Sequence, residues 1–78
     1  MKKVWMCQDY NDMSIGYVSI SKQKVMEFAR KSYPNSQVLE KFNESCYALK
    51  EKKGYYDPSC YIFKRVLESV YWKVDDEN

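Results

Sequence analysis

The sequence predicts an α+β fold of ββααα order: an N-terminal β-hairpin packed on three helices, the last two forming an antiparallel helical hairpin. Three observations lead there. Lys2–Gln8 and Ile15–Ile20, both rich in strand formers, flank a polar link. Pro34 and Gly54 then stand where helices stop. Finally, Ile62, Phe63, Val66, Leu67, Val70 and Val74 recur at helical spacing within Asp57–Val74, with Lys64, Arg65, Glu68, Ser69 and Lys73 between them.

In order along the chain, the expected β-hairpin covers residues 1–20. Its link, Asp9–Ser14, carries Asp and Asn, whose side chains bond nearby backbone in turns. A lone two-stranded hairpin is marginal in water, so one face must pack on the helices. Ser21 is the N-cap candidate for a helix over 21–33, with Val25, Phe28, Ala29 and Ser32 on one side. A second helix is expected over 36–53, on the stripe Val38, Leu39, Phe42, Cys46 and Leu49; Cys46–Lys50 also reads as a strand. Over 57–74, Asp57 caps a third helix, Pro58 sits where its missing N–H costs nothing, and the length is about 25 Å at 1.5 Å per residue. Residues 75–78 form an acidic tail.

At 78 residues there is room for a single small domain, yet eight Tyr, three Phe and two Trp are too many for a disordered chain. The net charge of +2 rises to +5 when Asp75, Asp76 and Glu77 are set aside, a mild basicity. Cys7, Cys46 and Cys60 are odd in number and widely spaced; with no signal peptide, this reads as reduced thiols in a cytoplasmic protein. No apolar run approaches the ~20 residues of a membrane helix, so no membrane partner is expected.

Around the link between the last two expected helices, Gly54, Tyr56, Phe63 and Leu67 occupy places where a tetratricopeptide repeat carries its turn glycine, aromatic and second-helix core residues. The resemblance covers about half of one repeat. Ser59 and Val66 replace its small alanines, Tyr47 sits where a small residue is usual, and no second copy occurs. It reads as convergent helical-hairpin chemistry and implies no peptide-binding groove. In size and in lacking catalytic motifs, the chain also resembles small accessory proteins of phages and mobile elements.

The absence of histidine removes the commonest general base, Cys-His pairs and Cys2His2 zinc sites. Gly16 and Gly54 are too few for a phosphate loop, and no cofactor or metal is expected. Asp9 with Asp12, and Glu40 with Glu44, are carboxylate pairs that read more simply as turn formers and a solvated helix face. Cys60, in the first turn of an expected helix, would have a lowered thiol pKa; the plainer reading is a partly covered hydrophobe. No catalytic residue is assigned, and the protein is read as a non-enzyme.

What remains is a surplus of aromatics. Tyr10, Tyr17, Tyr55, Tyr56, Tyr61 and Trp72 are the candidate protein-interface residues, because Tyr and Trp supply large contact area at low entropic cost. Their competing role is a second core layer beneath the hairpin. The expectation is a protein–protein interaction module, an inhibitor or regulator of a larger cytoplasmic protein or complex, with homodimerisation an alternative use of the same surface. The alternative function is nucleic-acid binding through Lys50, Lys52 and Lys53 beside Tyr55 and Tyr56. Against it, lysines late in a helix already complement the helix dipole.

Overall fold

Asp9 organises the first hairpin. Its carboxylate accepts from the backbone N–H groups of Asn11 and Asp12 at 3.0 and 3.1 Å, and Asp12 in turn accepts from Ser14 N–H and Oγ. Asp9 and Asp12 are therefore turn formers. This turn joins β1 (Lys2–Asp9) to β2 (Ile15–Ser19), paired antiparallel with a register shift after Cys7. The structure, a computed structural model, describes residues 2–67. Ser21 follows β2 and caps α1 (Lys22–Ser32), its Oγ accepting from Lys24 N–H at 3.3 Å. Pro34, which disfavours helical geometry in the residue before it, stands just beyond the C-cap Tyr33.

The rest of the described chain is strand: β3 (Val38–Asn43), β4 (Cys46–Lys50) and β5 (Cys60–Leu67). All pairings are antiparallel, and the sheet order is β2-β1-β5-β4-β3. The chain is thus mostly β, a five-stranded sheet with one helix among the described residues. The ββααα arrangement is overturned.

The reasons are local in one case and topological in the other. In 36–53, Asn43 Oδ1 accepts from Ser45 N–H at 2.7 Å, a side-chain-stabilised turn that reverses the chain and makes a hairpin of β3 and β4. The supposed helical stripe does not exist: Leu39 and Phe42 are exposed, whereas Leu49 is buried. Cys46–Lys50 is the strand that its composition also permitted.

In 57–74 the error is one of topology. β5 pairs with β1 on one side and β4 on the other, and both its faces meet apolar neighbours. A strand packed on both faces reads as a nearly continuous apolar run, and short runs of that kind mimic a helical stripe. Asp57 caps no helix; its carboxylate accepts from Tyr10 Oη at 3.1 Å. Gly54 and Tyr56 lie in the connection between β4 and β5, and Phe63 and Leu67 in β5, so the described residues form no helical hairpin there. The part of the expected third helix beyond Leu67, with Trp72 and the acidic tail, lies outside the described residues.

The two sheet faces differ. On one, Trp5, Cys7, Tyr47, Leu49, Cys60 and Ile62 pack beneath Val25 and Ala29 of α1. On the other, Val4, Met6 and Val18 form a separate cluster, with Ile15 and Phe63 against it. Gly16 lets α1 lie close: a Cβ there would meet the Phe28 ring at 3.1 Å.

Candidate functional site

The face opposite α1 gathers much of the aromatic surplus. Strand alternation sends Tyr61, Phe63 and Arg65 to this side of β5 while Cys60 and Ile62 turn to the helix. Tyr61 is the centre. Its ring centroid lies 6.0 Å from that of Tyr10, at the end of β1, and 6.5 Å from that of Phe42 on β3. The rings therefore run across the sheet from β1 to its far edge. Beside them the Arg65 guanidinium lies 5.2 Å from the Phe63 ring centroid. Two open depressions adjoin this line and share Gln8, Phe63 and Arg65. One, of about 520 Å³, is completed by Met6, Met13, Ser14 and Ile15. The other, of about 440 Å³, reaches Asn43, Ser45, Cys46, Tyr61 and Lys64.

Of the expected interface residues, Tyr10 and Tyr61 meet on this face. Tyr17 does not join them: it stacks on Phe28 at 4.9 Å on the helix side. Tyr55 and Tyr56 are exposed, 43% and 97%, in the loop after β4, where they border a depression with Asn11, Asp57 and Pro58. Trp72 lies outside the described residues. The lysines are dispersed. Lys50 is 7% exposed and paired with Glu40 at 3.2 Å; Lys52 and Lys53 are exposed in the following loop, Lys52 Nζ lying 5.9 Å from the Tyr55 ring.

Sequence reasoning missed Phe42, Phe63 and Arg65 because helical stripes assigned both Phe to a core. The usable signal was the Asn43–Ser45 turn: with β3 and β4 as a hairpin, Phe42 becomes an edge-strand residue.

Several titratable groups are tied into hydrogen bonds within the fold. Tyr33 Oη donates to Asp9 at 2.5 Å, tying the end of α1 to the first hairpin turn, and this bond leads the causes that hold the Asp9 carboxyl below its ordinary value. The Tyr33 phenol is pushed up, first by burial and then by the same bond. Tyr10 is raised by its bond to Asp57. Cys60 is no helix-terminal nucleophile: it is fully buried in β5, and its thiol is pushed far up, first by its hydrogen bond with Cys7 and then by burial. Glu40 and Glu44 are not a helical pair but each bind a lysine.

Among the described residues no group of three His, Cys, Asp or Glu is placed to hold a metal ion, and no helix is long and apolar enough to cross a membrane. No protein-family model matches the chain, and neither a curated protein nor a solved structure is similar to it at a significant level.

Proposed function

We propose that the protein is a non-enzymatic interaction module that binds a larger protein through the sheet face opposite α1, as an inhibitor or regulator in the cytoplasm. The observation carrying this reading is the continuous line Phe42–Tyr61–Tyr10, which ends at a Phe42 side chain that is 52% exposed and runs beside Phe63 and Arg65. Exposed or half-exposed aromatics next to an arginine are the composition of interface hot spots. The partner it suits is apolar, with a carboxylate opposite Arg65, since a guanidinium binds a carboxylate in a two-pronged geometry.

The test is capture from nuclease-treated lysate at two salt concentrations, with wild type, a Phe42→Ser/Tyr61→Ser double variant and Tyr56→Ser as control. The expected result is one protein retained at both salts by wild type and by the control, and lost by the double variant. Equal capture by all three proteins overturns the assignment of this face. Sedimentation of the pure protein distinguishes the other occupant, a second copy: dimerisation abolished by Phe42→Ser/Tyr61→Ser makes the face a homodimer interface instead.

A further inference from the structure

At the N-terminal end of α1, on the opposite side of the sheet from the proposed interface, Trp5 and Tyr47 form another aromatic pair, 6.1 Å between ring centroids. They are 9% and 7% exposed, so neither offers a ring face for stacking. Lysines surround them. Lys22 Nζ lies 5.5 Å from the Trp5 ring centroid and 4.7 Å from that of Tyr47, and donates to Tyr47 Oη at 2.9 Å. Lys64 Nζ, from the adjoining strand, is 5.7 Å from the Trp5 ring. Lys41 faces Tyr47 in the β3–β4 register and pairs with Glu44 at 2.7 Å.

Among the described residues the charges here do not balance. The Glu44 carboxyl is held below its ordinary value, foremost by its hydrogen bond and charge contact with Lys41, with Lys22 and Lys64 adding their fields. Among the described residues, one carboxylate, 86% exposed, is paired with Lys41 and lies within the fields of Lys22 and Lys64. Lys22 is also the first residue of α1, whose first turn contains no acidic residue. A cation at the positive end of a helix dipole is the unfavourable placement, and the surplus is relieved by an anion from outside.

We propose that Lys22, Lys41 and Lys64 form a phosphate-binding ledge at the N-terminal end of α1, whose ligand is a nucleic-acid backbone held without sequence preference. Lysine grips phosphate as a point charge and tolerates many registers, whereas planar carboxylate recognition favours arginine, absent from this trio. The buried rings leave no platform for bases, so the contact is to the backbone. Exposed Lys3, two residues before Trp5 on the same strand, extends the row. The ledge shares Lys64 with the rim of the depression beside the aromatic face, but its ligand and its test differ, so either proposal can fail alone.

The test is fluorescence anisotropy on the full chain with a labelled oligothymidine and, separately, a labelled poly-glutamate peptide. Oligothymidine is expected to bind more tightly, its log affinity falling with log salt at a slope of about two, from roughly 0.7 per single-strand phosphate contact. Lys64→Gln should flatten that slope by one contact's share, while Lys53→Gln, in the loop after β4, leaves it unchanged. Glu44→Gln removes the competing carboxylate and should tighten binding about two- to fivefold, the worth of a surface ion pair. Loss of folding does not produce a gain of this kind. Poly-glutamate binding as tight as oligothymidine, salt-independent binding, or Glu44→Gln and Lys64→Gln both matching Lys53→Gln would each overturn the proposal.

Discussion

The two faces of one sheet are packed differently by side chains that alternate along the same strands. Ile62 and Phe63 are consecutive, yet Ile62 is fully buried beneath α1 while Phe63 lies half-buried on the other side, under the Arg65 guanidinium. Toward α1 the packing is closed, its aliphatic residues set beside the buried Trp5–Tyr47 pair, with the Cys7 and Cys60 thiols turned to one another and Gly16 leaving room for Phe28. Away from α1 it is aromatic and partly open, from Tyr10 to Phe42. If the open face is the interface proposed above, stability and recognition fall to separate residues, and one can be altered with limited harm to the other.

The largest expected effect tests that separation directly. Ile62→Ala should cost about 2–5 kcal/mol, because the removed atoms leave a cavity among residues that α1 and the sheet hold in place. Phe42→Ala, at a half-exposed edge position, should stay within about 0.5 kcal/mol in the same urea titration. Equal costs would mean that Phe42 belongs to the core.

A smaller effect concerns the tie between α1 and the first hairpin. Asp9 has its folded pKa depressed, so its contribution is present above the unfolded value of about 4 and is lost as pH falls through the folded one. Tyr33 is raised, so its contribution is present below about pH 10 and is lost as pH rises through its folded value. Tyr33→Phe removes the Tyr33 contribution and the leading part of the Asp9 one, while the bonds from Asn11 and Asp12 N–H remain. Its denaturation midpoint should be lower than wild type at pH 7, with the difference shrinking toward both pH 3 and pH 11. A midpoint difference that ignores pH would show that the Tyr33–Asp9 bond contributes nothing.

The smallest effect leaves stability untouched and reads the faces through their thiols. Cys46, half-buried on the open side, should react with a maleimide in the native state; burial raises its pKa, so the reaction quickens with rising pH. Cys7 and Cys60 should be labelled only as fast as the sheet opens. Three thiols reacting at one rate would erase the distinction between the faces.

Through Tyr33 the architecture was legible because its signals are short-ranged. Asp9, Asn11 and Asp12 carry their own turn chemistry, Ser21 bonds the first turn of the helix it caps, and Val25 and Ala29 lie one turn apart on the buried side. Beyond Pro34 the reading failed. Its cause in β3 was an overlooked Asx turn at Asn43; in β5 it was a strand whose two faces are both partly apolar. The candidate site suffered accordingly. Tyr10 and Tyr61 were named, but their meeting depends on β1 pairing with β5 across more than fifty intervening positions, from Gln8 opposite Tyr61. The lysine ledge was hidden for the same reason, since Lys22, Lys41 and Lys64 share no window of sequence.

Composition and local pattern were therefore enough to establish a folded chain, an N-terminal hairpin and one capped amphipathic helix. Only the tertiary structure decided that Cys60–Leu67 is the central strand, that Phe42 is an exposed edge residue, and that Lys22 and Lys64, far apart in the chain, both lie over the Trp5 ring. The physical reason is that turns and caps are satisfied by hydrogen bonds a few residues away. A strand has no hydrogen bonds of its own and takes both its identity and its two faces from whichever strands lie beside it.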